Sequence, residues 1–378
     1  MIKVLHIIPN LVKGGAQRLV LDICIELSKR DDIDLRLVTM YEENAFISES
    51  IKVNHHYIPS FIQLSLTGKS IISVDSLQQF IQNFEPAIIH THLFEAELAA
   101  RWNIYPGISY FSHFHDNMPL YRNVSFQTFF NKAALTNFID KRLILHKYKK
   151  AKNSFIAISL DTKKYLENVL PSSLHRITLL PNAIDLAKFK RKEKTFFPEM
   201  RIITVGRIDK NKNHQFQLDL VQELLKRGKK VSLTIVGDGV ERINIQNSIN
   251  QMQLNDFVSI TGNIDCVDEA LKQHDIYIHS ALSEAFGLTL IEAMACGLPV
   301  VTLDGKGNRD LIVEGENGYL LPHANLISFA DKIIALAENE TLYTSMSNSA
   351  YQFAQQFDIA VYVDTLIDLY RNSLQTLK

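Results

Sequence analysis

An α/β protein of two parallel-sheet domains is the fold class this chain predicts, and three observations predict it. Short β-branched runs alternate with helical patterns from one end to the other, the arrangement of repeated βα units. The 378 residues are long for one core and suit two domains of ordinary size. A charged, polar stretch at 188–199 interrupts the alternation, and a second α/β series begins beyond it.

In the first half, Ile2-Lys3-Val4-Leu5-His6-Ile7-Ile8 reads as a strand, and the segment 9–15 turns into a helix with Val20, Ile23, Cys24 and Leu27 on one face. Residues 35–40 form a second strand. After Pro86, residues 87–91 read as a short buried strand, followed by a helix near 94–103 and another strand at 108–114. The last strands of this half are expected at 154–159 and 176–180. The second half places strands at 201–205, 231–236, 257–260, 275–279, 299–303 and 318–321, with helices between them. A final helix covers 359–377, with apolar residues at Val361, Leu366, Ile367 and Tyr370. In open α/β sheets ligands bind beyond the carboxyl ends of the strands, so chemistry is sought in the segments just after each strand.

Composition narrows the function. The formal net charge is -1, which gives no nucleic-acid signal for the whole molecule. Three cysteines, Cys24, Cys266 and Cys296, are far apart and odd in number, so neither a disulfide framework nor a zinc spacing follows, and a reducing cytosol is expected. Met1 leads straight into a strand, no signal peptide is expected, and no apolar run reaches membrane-spanning length. Charge is nevertheless uneven. Between 117 and 192, Lys141, Arg142, Lys147, Lys149, Lys150 and other basic residues far outnumber the acids, with Phe126, Phe129, Phe130, Phe138, Tyr148 and Phe155 interleaved. A solvated basic face explains this run as readily as peripheral docking on an anionic membrane surface.

The most informative segment is Ser283-Glu284-Ala285-Phe286-Gly287-Leu288-Thr289-Leu290-Ile291-Glu292-Ala293-Met294-Ala295-Cys296-Gly297-Leu298-Pro299-Val300. Either glutamate alone could be a solvated acid on an amphipathic helix. Together they frame a glycine at a helix start, where backbone N–H groups can approach an anion, and Glu292 abuts an apolar run where an idle acid is a liability. Phosphates flanked by sugar hydroxyls match that pattern.

Glu-x7-Glu followed by Ala-Met-Ala-Cys-Gly-x-Pro-Val resembles the signature of retaining GT-B glycosyltransferases of family 4, the glycosyl transferases group 1. The resemblance extends over nearly the whole chain. Arg207 and Lys212 in Val205-Gly206-Arg207-Ile208-Asp209-Lys210-Asn211-Lys212-Asn213 match the pair that neutralises the donor diphosphate, with Lys210 a close competitor. Gly14 and Gly15 match a Gly-Gly loop near donor phosphate and acceptor. Gly262, Asn263 and Val267 lie in a stretch similar to the loop that holds the nucleobase. Val236-Gly237-Asp238-Gly239 is not a G-x-G-x-x-G fingerprint, because Arg stands at 242, and tight strand-to-helix turning accounts for it. In Ser112-His113-Phe114-His115-Asp116-Asn117 the family's histidine beside the anomeric carbon is His115 or His113, with His115-Asp116 the better match. His90 and His92 form a second pair that could face the acceptor. The glycines of Asp304-Gly305-Lys306-Gly307-Asn308-Arg309-Asp310 would permit close phosphate or sugar approach, although this loop departs from the family pattern and leaves a role for Asp310 open.

The resemblance implies two Rossmann-like domains facing a central cleft, an acceptor-side domain at 1–190, a nucleotide-sugar domain at 198–356, and a helix at 357–378 crossing back to the first. It implies transfer of a hexose from a nucleotide diphosphate sugar, such as a UDP- or GDP-sugar, to a hydroxyl, and the basic aromatic run at 117–192 points to a glycan or lipid-linked acceptor, as in surface polysaccharide assembly on the cytoplasmic side of a membrane. Glu284 would hold donor sugar hydroxyls, Glu292 the ribose, and backbone around Phe286, Gly287, Leu288 and Thr289 the phosphates. No Asp-x-Asp pair follows a strand near a glycine loop, so neither metal nor other cofactor is expected. A nucleotide-sugar epimerase and a non-catalytic partner subunit are the alternatives. An NAD enzyme would need the full glycine fingerprint.

Overall fold

The computed structural model describes residues 1–64, 70–118, 132–191 and 199–376. Two compact units result: Met1–Ala183 with Ile359–Lys378, and Ile184–Asp358. Residues 184–190, expected in the first domain, belong to the second unit, and the closing helix, Ile359–Gln375, belongs to the first. Among the described residues no helix is long and apolar enough to cross a membrane.

The first unit is built on a seven-stranded sheet. Its strands are β1 (Ile2–Ile8), β2 (Ile33–Thr39) and β3 (His55–Tyr57), then, after an antiparallel hairpin of β4 (Phe61–Gln63) and β5 (Ile71–Ser73), β6 (Ile88–His92), β7 (Ser109–Phe114), β8 (Ser154–Ala157) and β9 (Ile177–Leu179). The order β3-β2-β1-β6-β7-β8-β9 reverses direction between β1 and β6. The helix Gly15–Leu27 follows β1 and buries Val20, Ile23, Cys24 and Leu27 completely. Each such side chain contributes about 1.5–3 kcal/mol by leaving water. The closing helix buries Leu366, Ile367 and Tyr370 as expected, whereas Val361 is 60% exposed; Tyr362 and Val363 take the inward positions.

A buried cation organises the strand ends of this unit. Arg101 is fully buried, and its guanidinium donates to Asn153 Oδ1 at 2.9 Å, Thr91 Oγ1 at 2.8 Å and Ser112 Oγ at 3.0 Å. These bonds tie the ends of β6 and β7 to the turn before β8. They also offset the cost of desolvating the charge.

The second unit holds a six-stranded sheet: β10 (Met200–Val205), β11 (Val231–Val236), β12 (Val258–Gly262), β13 (Ile276–His279), β14 (Val300–Leu303) and β15 (Gly318–Leu321). All its pairings are parallel, in the order β12-β11-β10-β13-β14-β15. Ile202, Leu233, Ile278 and Val301 from four neighbouring strands share one buried cluster with Leu220, Phe329 and Ile333 from the covering helices. The direction reverses between β10 and β13, and their carboxyl ends therefore open side by side.

Candidate functional site

In the second unit, the loop after β10 carries Arg207 and Lys212 and the loop after β13 carries Glu284. Parallel pairing of β10 with β13 starts both loops from the same edge. Asn211 then joins them: its Nδ2 donates to Ser283 O at 2.7 Å, and Ser283 N donates to its Oδ1 at 3.0 Å. Ser280 Oγ adds a bond to Lys212 O at 2.7 Å.

The result is a hydrogen-bonded triad. Lys212 Nζ lies 2.7 Å from Glu284 Oε2, and His279 Nε2 lies 3.0 Å from the same oxygen. Burial alone would raise the Glu284 carboxyl, but the His279 bond and the Lys212 charge outweigh it and hold the group well below the usual carboxylate range. Burial, reinforced by Lys212, lowers His279 despite its bond to Glu284. Lys210 is exposed, so Lys212 is the lysine that meets Glu284. Arg207 is 77% exposed along its side chain, 3.5 Å from Asp209 Oδ2.

Gly287 opens the helix Leu288–Ala295 in the left-handed region, at φ 101°. The first N–H groups of a helix have no intrahelical acceptor, which suits them to an anion. Thr289 Oγ1 accepts a 2.7 Å bond from Tyr277 OH, which anchors the helix start to β13. Leu288 and Glu292 are half-buried. Phe286 is buried and packs edge-on against Phe357 with ring centroids 6.1 Å apart, so its side chain belongs to the core and only its backbone borders the loop.

Backbone crowding accounts for two of these glycines, Gly237 and Gly307. A Cβ on Gly237 would stand 1.9 Å from Gly206 O, so this residue is required by packing of one strand-end loop on another, a stricter demand than turning. Gly262 pairs with Gly237 through an isolated bridge, while Asn263 is exposed and Val267 begins the next helix, Val267–Lys272. A Cβ on Gly307 would lie 2.0 Å from Ala285 O, and Gly307 N donates to Glu284 O at 2.8 Å. The 304–310 loop thus buttresses the Glu284 backbone, where sequence pattern suggested an approach for phosphate or sugar.

In the first unit, Gly14 precedes the helix Gly15–Leu27 with extended backbone. His115 follows β7 and stacks on His113, ring centroids 4.3 Å apart. The alternation that puts both on one side of the strand is observed, and His115 is the more accessible: His113 is fully buried while His115 is half-buried. His90 and His92 are fully buried and cannot face an acceptor. Of the aromatic residues in the basic run, Tyr148 and Phe155 are fully buried core, Phe138 is exposed, and Phe126, Phe129 and Phe130 lie outside the described residues.

Sequence reasoning missed His279, Asn211 and Tyr277. His279 closes an apolar strand, and only its position beside the reversal in strand order marks it.

Comparison with known proteins bears on the family and the fold. The family described as Glycosyltransferase Family 4 matches residues 13–188, and Glycosyl transferases group 1 matches 187–353. The chain is 29% identical over 180 residues to the UDP-N-acetylglucosamine–peptide N-acetylglucosaminyltransferase GtfA subunit of Streptococcus agalactiae, a match covering 46% of this chain but only 35% of that relative. It is 27% identical over 321 residues to the putative glycosyltransferase EpsF of Bacillus subtilis, covering 80% of this chain and 79% of that one. The fold matches the crystal structure of Anabaena Alr3699/HepE in complex with UDP at a TM-score of 0.78 and 17% identity, over 98% of this chain and 100% of that one. Two family descriptions joined end to end, on two parallel-sheet units with the GT-B fold, place the chain in glycosyltransferase family 4, group 1.

Proposed function

We propose that this chain transfers a hexose, with retention of configuration, from a UDP-sugar to a hydroxyl of a glycan or lipid-linked acceptor in surface polysaccharide assembly. The observation that carries the reading is the Lys212–Glu284–His279 triad at the reversal point of the second sheet, beside the helix opened by Gly287. Both triad bonds land on Oε2, which leaves Oε1 of an ionised Glu284 to accept from a donor sugar hydroxyl. Lys212 and Arg207 counter the charge that builds on the diphosphate as the sugar–phosphate bond breaks, and the helix N-terminus adds to them. Together they supply the charge that a metal would bring. Glu292 accepts from the ribose. The leaving diphosphate takes the acceptor's proton, and attack comes on the same face. The choice of UDP rests on the names of the Streptococcus relative and of the Anabaena complex, both of which specify it.

Calorimetry against UDP, GDP, ADP and NAD, with and without EDTA, tests the reading. UDP is expected to bind, to keep binding in EDTA, and to weaken about 10-fold or more in Arg207→Ala and Glu292→Ala, as loss of a charge-assisted bond requires. Response to NAD alone would overturn it.

The lipid-linked acceptor draws support from the helix Lys132–Ala151, where exposed Phe138 and Ile139 stand beside Lys141 and Arg142. Co-sedimentation with vesicles should rise with anionic lipid and fall with salt. Equal binding to zwitterionic vesicles would remove the membrane from the reading.

A further inference from the structure

Five histidines converge at the carboxyl ends of three adjacent strands in the first unit. Register brings His6 of β1 opposite His90 of β6, and His92 opposite His113 of β7, with His115 just beyond. Ring centroids are 4.5 Å apart for His90 and His92, 4.6 Å for His6 and His90, and 5.3 Å for His92 and His113.

Hydrogen bonds satisfy only part of this cluster. His6 Nε2 meets Tyr370 OH at 3.0 Å, His6 Nδ1 meets His92 Nε2 at 3.0 Å, and His92 Nδ1 meets His115 Nε2 at 3.0 Å. Among the described residues, His113 Nδ1 and Nε2, and His115 Nδ1, are buried without a partner. Such atoms are rare in folded proteins, and a buried ring with both nitrogens idle calls for an explanation that packing does not give. An apolar side chain would fill the same space without that cost.

We propose that His92, His113 and His115 form a three-histidine site for a divalent transition metal, zinc above all. Their donor nitrogens lie within 4.8 Å of one another. A tetrahedral zinc with bonds near 2.0–2.1 Å wants them about 3.3 Å apart, a change within reach of small ring rotations. Three imidazoles and no carboxylate select zinc, cobalt, nickel or copper over magnesium or calcium. The chain from Tyr370 through His6 to His92 Nε2 orients His92 in the way that outer partners orient ligating histidines. The trio His6, His90 and His92 also brings its nitrogens within that distance, but all three are fully buried and offer no route for an ion, whereas in the proposed trio a metal would take the place of the His92 Nδ1 to His115 Nε2 bond. His115, half-buried, leaves a route in and a fourth position for water or another ligand. The site shares His113 and His115 with the candidates for the transferase histidine, but the assignment stands on the three donor nitrogens and not on the transferase reading.

The test is titration of the untagged, chelator-stripped protein with Co2+ and then Zn2+. One Co2+ per chain should bind with the visible bands of tetrahedral nitrogen and oxygen ligation, and Zn2+ should displace it. His113→Asn should weaken binding about 100-fold or abolish it, while the distant pair variant His55→Gln/His56→Gln should not. Because a buried substitution can impair folding, imidazole NMR of the wild type provides the second measurement. Zn2+ should shift the resonances of His92, His113 and His115 beyond those of the other histidines. Absence of stoichiometric binding, binding retained in folded His113→Asn, or shifts confined to other rings would each overturn the assignment.

Discussion

Glu284→Gln is expected to lower the transfer rate by about 10²–10³-fold while leaving nucleoside diphosphate binding largely intact. The substitution keeps the shape of the side chain and removes its charge. In the native site one carboxylate oxygen serves both Lys212, at 2.7 Å, and His279, at 3.0 Å. Both partners push toward the ionised form, against burial. A neutral amide cannot balance Lys212, and Lys212 is the cation that must be aimed correctly when charge develops on the departing phosphate. Interactions made fully only in the transition state are lost from kcat rather than from binding, and removal of one such group costs on the order of 10²–10³. The check is single-turnover kinetics with the donor that calorimetry identifies. A rate within threefold of wild type would remove Glu284 from the chemistry.

Gly237→Ala should destabilise the second unit by about 3 kcal/mol or more, the range reached when overpacking and a disfavoured backbone conformation combine. Gly237 has φ 145°, and its added Cβ would meet the Gly206 carbonyl oxygen at 1.9 Å. That obstacle is backbone, so no rotamer change relieves it. The loop that must move is the one carrying Arg207 and Lys212, so UDP binding should fall with stability. Gly228→Ala separates the causes: its φ is also positive, at 73°, but nothing lies within 4 Å of the new atom. It should cost about 1 kcal/mol. Thermal unfolding of both variants, followed with and without UDP, makes the comparison. Equal losses would show that the loop contact is softer than its geometry implies.

The sequence made the sheet strands legible where buried β-branched runs formed them, as at Ile2–Ile8 and Val231–Val236. It was silent about His55–Tyr57, an edge strand of three residues with no apolar run, and about the short hairpin of Phe61–Gln63 and Ile71–Ser73. The segments that follow strands were legible because parallel α/β architecture gathers them at one edge. What they do to each other was not. Lys212 and Glu284 were read as contacts to different parts of a donor, yet they bond to each other, and that follows only from the pairing of strands far apart in sequence. The same holds for the histidines. His90-Thr91-His92 and His113-Phe114-His115 each show a two-residue period, but only the parallel register of β6 with β7 stacks the pairs, and only β1 brings His6 to them. Arg101 reads as one more polar residue on a helix, and its role appears once Asn153, Thr91 and Ser112 surround it.

Residues 359–375 belong to the unit that begins at Met1, although the whole second unit intervenes. During synthesis, therefore, the first sheet leaves the ribosome long before the helix that covers it. Until then His6 and His90 lack the Tyr370 hydroxyl they share, and the apolar surface that Leu366 and Ile367 will cover stays open to water. The second unit, continuous in sequence, has no such wait. The domain made first is thus the one completed last, and in the interval it exposes apolar surface of the kind that makes a nascent chain prone to aggregate.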